Sequence, residues 1–231
     1  MLFSLQATRD NIRNRDGKRV FYLGKGDQLT SDARDFLNRE RIEILPAEKA
    51  KPERYRLLSG GFMDEKPEHM THLHGDVLVF KTHPRIAFRG SMDTLEAELL
   101  LCALVVPEFQ KELSQILTLA RQLIRCEVLG QLVSDEKLCG LTREELRARS
   151  HRPQDFYAQP HFMPEVSDGE KVLRLNRARC AAREAELKAA AAFTDLQGSV
   201  EREDILRCLN RMSSMLYILM IQAKAGKHLF A

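Results

Sequence analysis

The sequence predicts a mainly α-helical protein: an antiparallel bundle of four long helices plus a short one, with a small N-terminal β-α-β appendage. Three observations predict it. From Asp93 onward, apolar residues recur at three- and four-residue spacing. The breaks between these segments are short, as antiparallel neighbours require. Residues 1–75 carry short β-type runs and turn residues instead, which sets them apart from the bundle of residues 76–231.

In chain order, Arg19-Val-Phe-Tyr-Leu23 reads as a strand and Gly24-Lys-Gly-Asp-Gln-Leu29 as a loop. Thr30 or Ser31 caps a helix that runs through Asp35 to Arg39, with Ala33, Phe36 and Leu37 as its apolar face. Ile42-Glu-Ile-Leu-Pro46 closes the β-α-β piece, and residues 47–70, rich in Lys, Glu, Pro and Gly, read as a linker. A first long helix is expected over residues 92–105, with Ser91 as its cap and Asp93 and Glu96 favoured by the helix dipole. A second is expected over 107–132, opened by Pro107 in its first turn. A short helix follows Thr142, whose spacing to Glu145 makes a capping box. Residues 151–168 read as an irregular loop, 169–193 as the fourth helix and 201–224 as the fifth.

Bulk properties exclude several classes. The chain has 231 residues, 44% hydrophobic and 30% charged, and its net charge of +3 gives no general electrostatic case for nucleic acid. No apolar run approaches the ~20 residues that span a bilayer, and the first residues lack an apolar core of signal-peptide length, so a cytoplasmic, membrane-free protein is expected. Five cysteines, odd in number and without a CxxC pair, read as reduced, mostly buried thiols rather than a zinc site. No GxxxxGK[ST], GxSxG or HExxH pattern occurs, and no Glu-x-x-His pair of a di-iron bundle.

The residues with chemistry to offer lie mainly on the last two helices. Arg179, Arg183 and Glu186 stand at i, i+4 and i+7, hence on one helical stripe, bordered by Ala178, Ala181, Ala182 and Ala185. With Asn210 on the next helix, they are expected where a plain bundle would carry apolar side chains. Two guanidinium forks beside a carboxylate suit a polyphosphate, and the same pattern also suits a solvated, charge-paired face. Around Asn210, Leu206, Leu209, Met212, Leu216 and Leu219 form a core stripe, with Ser213 on the flanking face. His69, His72 and His74 are close enough in sequence for a metal, but no helical or hairpin pattern fixes them.

Taken in order, several segments resemble the ATP:corrinoid (cobalamin) adenosyltransferases, in particular the ethanolamine-utilisation (EutT) type. They are Thr71-His-Leu73; Lys81-Thr-His-Pro-Arg-Ile-Ala-Phe-Arg-Gly-Ser-Met-Asp93; Ser150-His-Arg-Pro153; His161-Phe-Met-Pro164; Arg179 to Arg183-Glu-Ala-Glu186; and Leu209-Asn-Arg-Met-Ser213. The resemblance covers roughly residues 19–224. It implies a bundle assembled as a homo-oligomer, commonly a trimer, with active sites between subunits. It implies that reduced cobalamin, as Co(I), attacks the 5′ carbon of ATP, giving adenosylcobalamin and triphosphate with Mg²⁺ present. By motif, Arg179 and Arg183 hold the phosphates, Glu186 and Asn210 accompany them, and Asp93 pairs with Arg179 of a neighbouring subunit. Lys81 and Arg85 match the segment bordering the nucleotide, and His161 or Phe162 forms the corrinoid wall. The partners it implies are a reductase and an ethanolamine ammonia-lyase, in the cytoplasm and in association with a bacterial microcompartment.

Two departures stand out. A CCxxC element found in some relatives has no counterpart, because no cysteine precedes Cys102, so that metal site is absent or replaced by the three histidines. Gly26-Asp27 only faintly matches the family's N-terminal phosphate loop. Two further functions fit the same features: a non-catalytic helical corrinoid-binding or assembly module of a metabolic compartment, and a corrinoid carrier. Retention of both arginines, Glu186 and Asn210 favours the enzyme.

Overall fold

The computed structural model describes residues 1–15, 18–47, 55–63, 65–134 and 137–226. Two compact units emerge, one of residues 1–55 and 61–65, the other of residues 56–60 and 66–231.

The first unit contains the expected β-α-β piece and more. β1 (Leu2–Phe3), α1 (Leu5–Asp10) and β2 (Arg13–Arg15) precede β3 (Lys18–Leu23); then come β4 (Gln28–Leu29), α2 (Ser31–Arg39) and β5 (Glu43–Pro46). β3 pairs parallel with β5 and antiparallel with β2, and β1 pairs parallel with β4. Thr30 is the N-cap of α2, its hydroxyl accepting from the Ala33 amide. Phe21, Phe36, Leu37 and Ile42 form the core, with Phe3 edge-on to Phe21 at 5.3 Å.

The stretch expected as a linker holds two short strands, β6 (Tyr55–Leu57) and β7 (Phe62–Met63), while its residues 48–54 and 64 lie outside the described residues. In the second unit, Arg56 and Leu57 pair parallel with β9 (Val77–Phe80), and β8 (Met70–His74) pairs antiparallel with β9. The histidine segment is therefore a hairpin strand, contrary to expectation. Alternation misses it because the buried run Val77-Leu-Val79 is continuous rather than alternating, and the register shifts between His72 and His74. Among the described residues, no group of three or more His, Cys, Asp or Glu side chains could hold a metal.

α3 (Pro84–Val105) begins a full two turns before the expected start. Its N-cap is His83, whose Nδ1 accepts from the Arg85 amide, and Pro84 occupies the first turn. Ser91 is no cap: it lies inside the helix, its hydroxyl donating to the Phe88 carbonyl. A 3-10 turn (Pro107–Phe109) leads into α4 (Gln110–Leu129), which Gly130 ends with φ 66°, a left-handed geometry open to glycine at little cost. α5 (Arg143–His151) opens with the Thr142–Glu145 capping box. The expected loop contains a short α6 (Pro153–Tyr157) and a 3-10 turn (Val166–Asp168). α7 (Gly169–Phe193) and α8 (Glu203–Ala225) complete the chain.

α3 packs on α7 and α4, α7 on α8, and α5 on α8. Phe88, Met92, Leu95, Leu99 and Cys102 bury one stripe of α3, spaced by three and four. α7 answers with Ala178, Ala181, Ala182, Ala185 and Ala189, whose small side chains let its neighbours approach closely. α8 is buried almost all round from Met212 to Gln222. Among the described residues, no helix is long and apolar enough to cross a membrane.

One charged node ties this unit together. Glu127 on α4 is fully buried and accepts from Arg85 at 2.6 Å and Arg89 at 2.8 Å, both on α3. Arg89 also donates to the Leu73 carbonyl on β8 at 2.7 Å, joining the hairpin to the helices.

Candidate functional site

The four residues singled out on α7 and α8 meet along one groove, though not where core side chains would sit. The buried stripe of α7 is its alanines, and the polar stripe lies one flank away, with Arg179 and Glu186 half-buried and Arg183 exposed. On α8, Asn210 is exposed, and its Nδ2 donates to Glu186 Oε1 at 3.1 Å, linking the helices. Asn176, one turn before Arg179, accepts from Arg179 Nε and Nη2 at 3.3 and 3.1 Å and so aims its guanidinium. Arg183 makes no side-chain hydrogen bond or ion pair among the described residues, which leaves its full fork for a ligand.

Further along α8, Tyr217 lies beneath Arg179, whose Cζ stands 5.6 Å from the ring centroid. His161 stacks on Tyr217 at 5.7 Å. His161 Nε2 is 3.1 Å from the His151 carbonyl, which can only accept, so Nε2 carries the proton. Nδ1 then accepts from the Tyr217 hydroxyl at 2.6 Å. Burial raises the Tyr217 pKa against the opposing effects of Arg179 and of a hydrogen bond with the Phe162 backbone, so the phenol stays protonated and able to donate. Ser150, His151, His161, Arg179, Arg183, Ser213, Ser214 and Tyr217 line a cavity of about 250 Å³. A second, of about 270 Å³, adjoins it through His151 and Ser214 and reaches Glu186 and Asn210. Neither alone has the ~300–1,000 Å³ of a complete small-molecule site; joined, they fall within that range.

Of the two aromatic candidates in the preceding loop, His161 faces this cavity. Phe162 is half-buried against the helical core, with Lys224 Nζ 4.1 Å above its ring, and Met163 is 84% exposed. Three other sequence candidates are not brought to the groove within one protomer. Lys81 pairs with Glu68 at 2.9 Å, and Arg85 is committed to Glu127. Asp93 is exposed on α3 and has no hydrogen-bond or ion-pair partner among the described residues.

Sequence reasoning gave no role to Tyr217, His151 or Asn176. Tyr217 could have been found, since Asn210, Ser213, Ser214 and Tyr217 share one stripe of α8 by spacing. Asn176 likewise stands one turn from Arg179. His151 lies in the matched segment Ser150-His-Arg-Pro153, which flagged it without a role; its place in both cavities comes from the fold.

Two long helices thus set paired guanidiniums, a carboxylate and an amide along one groove, with an aromatic and imidazole array at its end, an arrangement whose charge suits an extended anionic ligand. The chain belongs to the cobalamin adenosyltransferase family, whose model matches residues 62–223. It is 34% identical over 158 residues to the corrinoid adenosyltransferase EutT of Escherichia coli (strain K12), covering 68% of this chain and 59% of that protein. It is 34% identical over 165 residues to the corrinoid adenosyltransferase EutT of Salmonella typhimurium (strain LT2), covering 71% and 61%. The chain thus spans about three-fifths of the length of these curated relatives. The resemblance drawn from the motifs is borne out, including its type. No solved structure matches the chain.

Proposed function

We infer that the protein transfers the 5′-deoxyadenosyl group of ATP to the cobalt of reduced cobalamin, giving adenosylcobalamin and triphosphate. The observation that carries this is the convergence of Arg179, Arg183, Glu186 and Asn210 on one groove inside the family-matched segment. The Co(I) electron pair forms the Co–C5′ bond as the C5′–O bond breaks, and the bonding electrons leave with the triphosphate oxygen. Cobalt is the nucleophile, so the chain needs none of its own. Its task is to hold the ATP carbon in line and to meet the charge that grows on the leaving triphosphate. Arg183, unpartnered, supplies that compensation. Arg179, aimed by Asn176 and seated on Tyr217, fixes the nucleotide's place.

Mg²⁺ fits the donor set. Asn210 engages one oxygen of Glu186, leaving the other for a cation in the cavity that Glu186 lines, and Mg²⁺ usually takes one or two carboxylates plus phosphate oxygens and waters. Bound there, it would neutralise phosphate charge. Glu186, with phosphate oxygens and water, would hold it.

The assembly proposed is a trimer of antiparallel four-helix bundles, with residues 1–75 as an appendage and 76–231 as the adenosyltransferase domain. Helix contacts running in opposite order support the antiparallel layout: Phe88 meets Phe193, Glu98 meets Arg177 and Glu108 meets Lys171. Exposed Leu100, Leu101 and Leu104 follow Asp93 along α3, and Leu187 follows Arg183 on α7. Apolar exposure of this kind supports a subunit contact, which would offer unpartnered Asp93 to Arg179 of a neighbour. Lys81 would then border the nucleotide from the subunit that supplies Asp93. His161 forms the corrinoid wall. A reductase supplies Co(I), and ethanolamine ammonia-lyase consumes the product in the cytoplasm, beside or within a microcompartment.

The test is turnover of Arg183→Ala. Its kcat should fall about 10²–10³-fold, the loss typical of one charge-stabilising donor, with helical content unchanged. Full activity in that variant contradicts the assignment, and absence of ATP-dependent product from folded wild-type protein contradicts the enzyme.

A further inference from the structure

α5 and α8 face each other across the cavity beside Glu186 and Asn210. Its wall carries Arg143 and Arg147 from α5 and Arg207 and Arg211 from α8, against the carboxylates of Glu186 and Glu203. On each helix the two arginines stand four residues apart, so each pair shares one stripe. Leaving Arg211 aside, the guanidiniums of Arg143, Arg147 and Arg207 against the carboxylates of Glu186 and Glu203 still leave the cavity positive. The side chains of Arg143, Arg147 and Arg207 make no hydrogen bond or ion pair among the described residues. Other arginines of the same unit, Arg121, Arg177 and Arg202, are paired with carboxylates. Arg207 Nε is moreover buried with no hydrogen-bond acceptor among the described residues.

We propose that this cavity is a polyphosphate subsite, in which Arg143, Arg147 and Arg207 bind the terminal phosphates of the nucleotide held at Arg179 and Arg183. The proposal rests on the nucleotide-binding assignment above and extends it to residues the motifs do not touch. The two cavities share His151 and Ser214, so they form one path. Tyr217 at one end and Arg207 at the other are ten residues apart on α8, about 15 Å at 1.5 Å per residue, room for an extended ligand rather than a single ion. Guanidinium forks match phosphate oxygens in pairs, and three from two helices can grip adjacent phosphates at once. The rest of the lining is Leu146, His151, Leu206, Asn210 and Ser214, with no Phe, Tyr or Trp face in this cavity, which favours a phosphate chain over nucleic acid. The subsite also supplies what the faint Gly26-Asp27 match does not: a hold on the far end of the triphosphate.

The experiment titrates inorganic tripolyphosphate and orthophosphate into the full chain by calorimetry. It compares wild type with Arg143→Gln/Arg147→Gln, with Arg207→Lys and with Arg125→Gln, an exposed control on α4, and measures the KM for ATP alongside. The expected result is tripolyphosphate binding that the double variant weakens about tenfold or more, at the scale of one lost charged hydrogen bond. The KM for ATP should rise in parallel, Arg207→Lys should retain part of the binding, and Arg125→Gln should change nothing. Unchanged tripolyphosphate binding in the double variant overturns the subsite. Weakened tripolyphosphate binding with an unchanged KM for ATP overturns the nucleotide-tail assignment and leaves a site for released product only. Arginine-dependent tripolyphosphate binding in a protein that makes no adenosylcobalamin keeps the subsite and removes the adenosyl-transfer function.

Discussion

Replacing Glu127 with glutamine should be the most damaging conservative change in the helical unit. The carboxylate is 0% exposed, and both its oxygens accept short bonds, at 2.6 Å from Arg85 and 2.8 Å from Arg89. An amide keeps the shape but removes the charge and turns an N–H₂ toward one guanidinium. Removing one partner of a buried pair costs ~3–5 kcal/mol. Both arginine side chains here remain about one-fifth exposed, and Arg89 keeps its bond to the Leu73 carbonyl, which argues for the lower end, about 3 kcal/mol. For a unit of this size that is a fall of about 6–12 °C in Tm. Urea unfolding followed by circular dichroism measures it, with the slope m unchanged if only stability moves. Replacing all three residues with apolar side chains of similar volume should recover most of the loss, because the arginines are then no longer stranded. A loss below about 1 kcal/mol for Glu127→Gln would refute the claim that this node holds α3, α4 and the hairpin together.

Two further outcomes follow from the geometry. Tyr217→Phe keeps the stack on His161 but leaves Nδ1 without its donor. The KM for corrinoid should rise about threefold to tenfold, while the KM for ATP stays put, as expected for ~1 kcal/mol lost from loop positioning; equal effects on both substrates would contradict a role confined to the corrinoid end. His83 caps α3 as a neutral imidazole, and burial, then Arg85 and Arg89, hold its pKa below the ordinary 6.5 against the pull of Glu127. The unfolded chain therefore takes up a proton that the folded chain resists, so stability falls as pH drops below about 6.5 and levels off beneath the folded value. His83→Asn, still a good cap, should flatten the urea midpoint between pH 7 and 5.5, and an unchanged slope would exclude His83 as the source.

Periodicity carried most of the helical unit. The bounds of α7 and the cap of α5 were readable because alanine spacing and a Thr-x-x-Glu box are local signals. The start of α3 was not, because Ser91-Met-Asp93 mimics a cap while the real one is an imidazole before Pro84. The hairpin at His69 to Phe80 was hidden by a buried run without alternation and by its register shift. At the site, the i, i+4, i+7 stripe was legible, but its burial was not: a helix's sequence shows which residues share a face, and neighbouring helices decide which flank is covered. Arg85 shows the same limit. Its motif suggested a ligand, and the fold gives it to Glu127, a partner 42 residues away. Arg143 and Arg147 form an unremarkable basic turn until α8 lies opposite.

The most direct test of adenosyl transfer is to analyse the products. Wild-type protein is incubated with ATP, Mg²⁺ and chemically reduced cobalamin, the loss of Co(I) absorbance is followed, and the phosphorus products are identified by ³¹P NMR. The account predicts one intact triphosphate for each adenosylcobalamin formed. Formation of ADP and phosphate, or no ATP-dependent loss of Co(I) with the protein folded, would contradict attack at the 5′ carbon with triphosphate as the leaving group.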